Sequence, residues 1–122
     1  MPFLKVDDAN LHYEVDGAGP PLLLIMGLGG NSQVWAPVRR QLASRYRLIM
    51  YDMRGTGRSD SSALPATIEA LGAELDALFA HLGLERVLAL GYSFGASVLL
   101  NYAARKPERF EAISLVGLPS LT

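Results

Sequence analysis

Apolar and polar residues alternate from Phe3 to Val6 and again from Leu11 to Val15, on either side of Asp7, Asp8, Ala9 and Asn10. A period of two buries one face and wets the other, so this stretch predicts an antiparallel hairpin. After the breaker cluster Gly17–Pro21 the pattern changes: Leu22–Met26 is apolar throughout, as in a strand covered on both faces. Ser32 then stands where a helix cap belongs, before Val34, Trp35, Val38, Leu42 and Ala43 at helical spacing. Arg47–Tyr51 reads as a second buried strand. Thr67 caps a predicted helix reaching Leu82, with Ile68, Leu71, Leu75, Leu78, Phe79 and Leu82 on one side and Gly83 as its stop. Val87–Leu90 is a further buried strand. A helix over Ser93–Arg105 follows, with the stripe Val98, Leu99, Tyr102 and Ala103, ended by Pro107; Ala112–Val116 is the last strand.

A hairpin followed by alternating strands and helices predicts an α/β chain with a mostly parallel sheet of about six strands and three helices. At 122 residues it is read as a single domain, residues 1–122. Half of the residues are hydrophobic, 19% are charged, and the mean hydropathy is +0.21, which leans apolar for a domain of this size. The net charge of −1, with basic residues dispersed from Lys5 to Arg109, gives no footprint for nucleic acid. Without cysteine there is neither a disulfide nor a thiolate metal site, and no metal or cofactor is expected. The first ten residues lack the apolar core of a signal peptide, and no apolar run is long enough to span a bilayer. The expected location is cytoplasmic.

The chemistry gathers at Gly91-Tyr92-Ser93-Phe94-Gly95, a G-x-S-x-G pattern between a predicted buried strand and an amphipathic helix. So sharp a bend forces the central residue into strained backbone near positive φ, and glycines on both sides remove the colliding Cβ atoms. The Ser93 hydroxyl is then held clear of the sheet beside a helix N-terminus, where developing negative charge is favoured. The plainer alternative is that Gly91 ends a strand and Ser93 only caps the helix. Met26-Gly27-Leu28-Gly29-Gly30 follows the first buried strand and reaches the same edge of the sheet. The amides of Leu28 and Phe94 form the natural pair of oxyanion donors, with Gly27 and Tyr92 beside them. Asp52–Asp60, rich in charge and glycine, reads as a loop locked by its own hydrogen bonds, and it lacks the spacing of a phosphate-binding loop.

Leu22–Gly30, Tyr51–Asp60, Leu90–Ala96 and the turn Lys106-Pro107-Glu108-Arg109 occur in an order and spacing that resemble the N-terminal, nucleophile-bearing half of the α/β-hydrolase superfamily. The likeness is to the branch of enol-lactonases, C–C bond hydrolases and haloperoxidase-like esterases. It implies Ser93 as the nucleophile and Leu28 and Phe94 as oxyanion donors. One departure is Met26-Gly27, where the family often carries His-Gly; this bears on loop geometry more than on chemistry.

A serine hydroxyl needs a base to take its proton, and the family supplies an acid and then a histidine after the serine. Only Glu108 and Glu111 follow Ser93 as acids, at the wrong end of the sheet, and both histidines, His12 and His81, precede it. His12 is expected on the surface of the hairpin and His81 at the far pole, as a cation at a helix C-terminus. The chain is therefore expected to be a truncated form of the fold, with an open apolar edge at Ala112–Val116. That edge predicts a homodimer or a complementing C-terminal segment. The leading expectation is a serine hydrolase acting on a small carboxylic ester or lactone, or the half of one that bears the nucleophile. The alternative is a non-catalytic binding or scaffold module that associates through the same edge. A nucleotide-binding domain is disfavoured by the missing phosphate fingerprint.

Overall fold

Six strands form one mixed sheet in the computed structural model, which describes residues 3–6, 9–25, 36–51 and 68–117. The elements run β1 (Phe3–Val6), β2 (Ala9–Asp16), β3 (Pro21–Ile25), α1 (Ala36–Ala43), β4 (Arg47–Tyr51), α2 (Ile68–Leu82), β5 (Val87–Tyr92), α3 (Phe94–Arg105), a 3-10 turn at Pro107–Arg109, and β6 (Phe110–Val116). Their order across the sheet is β1-β2-β4-β3-β5-β6. The hairpin strand β2 joins antiparallel to β4, while β4, β3, β5 and β6 are mutually parallel. The expected α/β architecture is present, and β6 is an open edge that pairs only with β5 among the described residues.

The apolar run of β3 is explained by its central place. Leu23 and Ile25 face a core completed by Leu71, Leu75, Leu78 and Phe79 of α2 and Val98, Leu99 and Tyr102 of α3. Leu24, between them, faces the opposite side with Leu48 and Met50, under Leu42 and Ala43 of α1. Helices cover both faces, so the strand has no polar side to spare. Leu23, Leu24 and Ile25 are wholly buried, each stabilising the fold by roughly 1.5–3 kcal/mol through its removal from water.

Helix α1 departs from the expected pattern. Val38, placed by periodicity on the buried side, is 39% exposed. The helix holds to the sheet by Leu42, Ala43 and an ionic clip instead: Arg39 Nε donates to Asp16 Oδ2 at 2.8 Å and Nη1 to Glu14 Oε1 at 3.0 Å. Two carboxylates around one guanidinium raise its pKa, chiefly through the Asp16 hydrogen bond. Ser32, Val34, Trp35 and Thr67 lie outside the described residues. No helix among the described residues is long and apolar enough to cross a membrane.

At the amino end of the parallel strands, α2, α3 and β6 meet in an aromatic cluster of Phe79, Tyr102 and Phe110, with ring centroids 5.9–6.1 Å apart. Asp76 Oδ1 closes it, accepting from Lys106 Nζ at 2.6 Å, the Tyr102 hydroxyl at 2.7 Å and Arg109 Nη1 at 3.3 Å. The Arg109 guanidinium also stacks 4.9 Å from the Phe79 centroid. This ties the Lys106–Arg109 turn, and with it the start of β6, to α2. Partial burial opposes ionisation of Asp76, but the Lys106 and Tyr102 hydrogen bonds and the two cations outweigh it and hold the carboxyl below its ordinary 3.8. A lowered carboxyl pKa adds stability above 3.8 that disappears as pH falls through the lower native value. Asp76→Asn is therefore expected to lose about 1 kcal/mol at neutral pH, a modest figure because the site is partly exposed. The gap in urea midpoints between the two chains closes below pH 3.8; a gap independent of pH refutes the assignment.

Candidate active site

Strand β5 runs two residues further than its apolar run predicts, through Gly91 and Tyr92, and α3 starts at Phe94. Ser93 lies between them with φ 58 and ψ −124, the one residue other than glycine with positive φ among the described residues. Such a conformation costs on the order of 1–3 kcal/mol and persists only where its surroundings impose it. Its side chain makes no capping hydrogen bond to α3, so helix capping does not account for a serine at this position.

Two contacts enforce the bend. Gly91 lies against the first turn of α3: a Cβ there would sit 2.8 Å from both Ala96 Cα and the Gly95 carbonyl oxygen. On the other side, the Ser93 N–H donates to the Val116 carbonyl at 2.8 Å, extending the β5–β6 ladder one step past its last pair, Tyr92 with Val116. The Ser93 amide is thus occupied. The first N–H groups of an α-helix have no acceptor within the helix, and Phe94 opens α3. Its side chain turns the other way, half-buried against the main core. Tyr92 is 44% exposed at the strand end. Gly27 and Leu28, with Met26, lie outside the described residues; Ile25, just before them, pairs with Gly91 and so ends at the same edge of the sheet as the bend.

The acids and histidines remain apart from Ser93. Phe110 pairs with Val87 at the start of β5, so Glu108 and Glu111 belong to the opposite end of the strands from the bend. His81, in the last turn of α2, contacts Tyr13: its Nε2 is 2.9 Å from the Tyr13 hydroxyl, with the rings edge to face at 5.4 Å. His12 is not a surface residue as expected from the hairpin pattern. It is 2% exposed, and its neighbour Leu11 is 1% exposed. Adjacent strand residues point to opposite faces, so β2 is covered on both sides at this point. No hydrogen bond reaches the Ser93 hydroxyl from any described residue. The described residues also contain no group of three His, Cys, Asp or Glu side chains able to hold a metal ion.

Two buried polar groups escaped the sequence reading. Glu74 is wholly buried on α2, and the Tyr51 hydroxyl at the end of β4 is buried without a hydrogen-bond partner among the described residues. Burial, then the charge of Glu74, then Tyr102, push the Tyr51 hydroxyl pKa well above 10.0. The signal for Glu74 was present: it stands three residues after Leu71 and next to Leu75, within the buried stripe.

Two glycines, Gly91 at the bend and Gly72 on α2, answer differently to an added Cβ. Gly91→Ala drives a Cβ into backbone that has nowhere to go and is expected to lower stability by about 1–3 kcal/mol. Gly72→Ala, on α2, meets mainly the flexible end of Arg105 and gains helix propensity, so it is expected to be near neutral or stabilising. Urea unfolding of the two variants checks this, and equal losses would refute it.

The fold that carries this strand, bend and helix is shared with relatives of the chain. The sequence pattern of the alpha/beta hydrolase fold matches residues 20–122. The chain is 34% identical over 117 residues to a protein of Azorhizobium caulinodans that carries the name carbamate hydrolase RutD, covering 96% of this chain and 44% of that one. A solved hydrolase from Pseudomonas aeruginosa superposes with a TM-score of 0.88 at 34% identity, covering 93% of this chain and 44% of the other. A thermophilic esterase from Thermogutta terrifontis does so with 0.84 at 30% identity, covering 92% and 42%. The chain spans less than half the length of these relatives. The family pattern covers most of the chain and the overall fold superposes on these hydrolases, and the chain belongs to the alpha/beta hydrolase fold family.

Proposed function

We propose that this chain carries the nucleophile and oxyanion-binding portion of a serine hydrolase acting on a small carboxylic ester or lactone. The observation that carries the reading is the strained backbone of Ser93 with a hydroxyl left unused by the helix it precedes. The Ser93 Oγ attacks the carbonyl carbon, its proton passing to a base, while the carbonyl π pair becomes an oxyanion. When that oxyanion collapses, the C–O bond to the alcohol breaks, the alcohol leaves with the proton, and water later releases the acid from Ser93. Because the Ser93 N–H is given to Val116, the donor from α3 is the Phe94 N–H, with Leu28 as its partner and Gly27 beside it in the sequence. Tyr92, exposed at the strand end, borders the substrate. The names of the relatives, a carbamate hydrolase and an esterase, favour a carbonyl substrate of this kind.

A base and its acid partner are assigned to chain that adds to the open edge of β6, in a second copy or a complementing segment. Only β5 pairs with β6 among the described residues, and Val116 at its end is 42% exposed. A hydroxyl with no base within reach among the described residues favours the second reading, a binding or scaffold module that uses the same edge. Without the base, the oxyanion donors and binding alone retain only a small part of the rate, since loss of triad members costs several orders of magnitude.

Labelling by a fluorophosphonate probe separates the two readings. The parent is expected to be labelled slowly and Ser93→Ala not at all, with both folded by circular dichroism. A folded parent that stays unlabelled overturns the hydrolase reading in favour of the binding module. Size-exclusion chromatography with light scattering tests the edge: the expected result is a dimer at micromolar concentration that resolves to monomers when Leu115→Pro removes a backbone donor from the side of β6 that faces away from β5. A clean monomer in the parent refutes self-association.

A further inference from the structure

We infer that Gly117, the residue that follows β6, is a positioning residue for Ser93. The inference rests on the reading of Ser93 as nucleophile for its kinetic consequence, but not for its structural part. The Ser93 N–H hydrogen bond to the Val116 carbonyl ties the neighbouring strand to the strained residue. That carbonyl belongs to the peptide group joining Val116 to Gly117, so whatever sets the plane of this group also sets the acceptor. Directly after it the chain turns out of the strand with φ 65 at Gly117, in the left-handed region.

The constraint at Gly117 is conformational, not steric. Among the described residues a Cβ built there has one neighbour within 4 Å, the Ser93 amide nitrogen at 3.9 Å, an ordinary contact. The described residues therefore leave space for a side chain, but the backbone rejects most of them. A β-branched residue at positive φ is a true outlier, whereas asparagine visits the left-handed region readily. A residue that cannot hold φ 65 relaxes toward negative φ and tilts the Val116–Gly117 peptide plane, which weakens its hold on Ser93. The two positive φ values, 58 at Ser93 and 65 at Gly117, thus face each other across one hydrogen bond, and the second keeps the acceptor in place for the first.

This differs from the part played by Gly91. Gly91 makes room for α3, and its replacement strains the packing whatever the side chain. Gly117 selects by backbone preference, so Gly117→Asn and Gly117→Val separate cleanly although both add a Cβ. The experiment follows amide hydrogen exchange at Ser93 by NMR, together with fluorophosphonate inactivation resolved into a maximal rate and an apparent affinity.

In Gly117→Val, exchange at Ser93 is expected to rise roughly tenfold, as for loss of one hydrogen bond. The maximal inactivation rate is expected to fall about ten- to a hundredfold, as for a displaced nucleophile, with little change in affinity. Gly117→Asn is expected to keep the Ser93 protection and to recover most of the rate. Equal losses in both variants overturn the proposal, as does a valine variant with unchanged Ser93 exchange. Faster exchange with an unchanged inactivation rate overturns it too. If the parent itself is not labelled, the nucleophile reading fails alone, and the exchange data still decide whether Gly117 holds Ser93.

Discussion

A single residue in rarely visited backbone, Ser93 at φ 58, is held between a helix that comes unusually close and a strand that grips its amide. Neither restraint is local in sequence. The helix approaches because Gly91 leaves no Cβ between the end of β5 and Ala96. The grip exists because β6 lies beside β5 in parallel register, so that Val116 ends level with Tyr92 and its carbonyl is presented to the next amide along. The strain is sustained by the whole sheet: β5 is flanked on one side by β3 and on the other by β6, and its two faces are packed against the cores described above.

The two ends of the parallel strands differ in kind. At the amino end, rings and charges from α2, α3 and the turn before β6 satisfy one another around Asp76 and fix where β6 begins. A strand anchored at its start in this way delivers its last carbonyl to a defined height, which is where Ser93 needs it. At the carboxyl end, among the described residues, polar groups are left available: the Phe94 and Gly95 amides of α3 and a serine hydroxyl without a hydrogen bond. Stability gathered at one pole and open hydrogen-bonding capacity at the other is the arrangement expected of parallel α/β sheets, whose ligands bind beyond the carboxyl ends of their strands.

Much of this was legible in the residues. The alternation of the hairpin, the apolar runs of β3 and β4, the stripes of α2 and α3, and the G-x-S-x-G pattern each mapped onto the element they predicted. The misreadings share one cause. Val38 was assigned to the buried side of α1, His12 to the surface and Glu74 to nothing, yet they are 39%, 2% and 0% exposed. Periodicity reports which residues share a face of one element, not what lies over that face. His12 is buried because β2 is covered on both sides, and Val38 is exposed because α1 is held by Leu42, Ala43 and the Arg39 clip at its other side. The networks around Asp76 and Arg39 join residues more than twenty positions apart, a relation that no local pattern encodes.

Local physics settles quickly within a chain. Glycine placement, hydrophobic period and helix stop signals act over a few residues, so the amino-acid sequence by itself determined the elements, the α/β class and the position of a sharp bend at Ser93. What the bend is made of was decided only when distant segments met. The positive φ of Ser93 depends on Ala96 packing against Gly91 and on the Val116 carbonyl twenty-three residues further on. Tertiary structure alone showed that the Ser93 amide is engaged by β6 while its hydroxyl is not used as a cap, because a hydrogen bond between strands is a property of register, and register exists only in the assembled sheet.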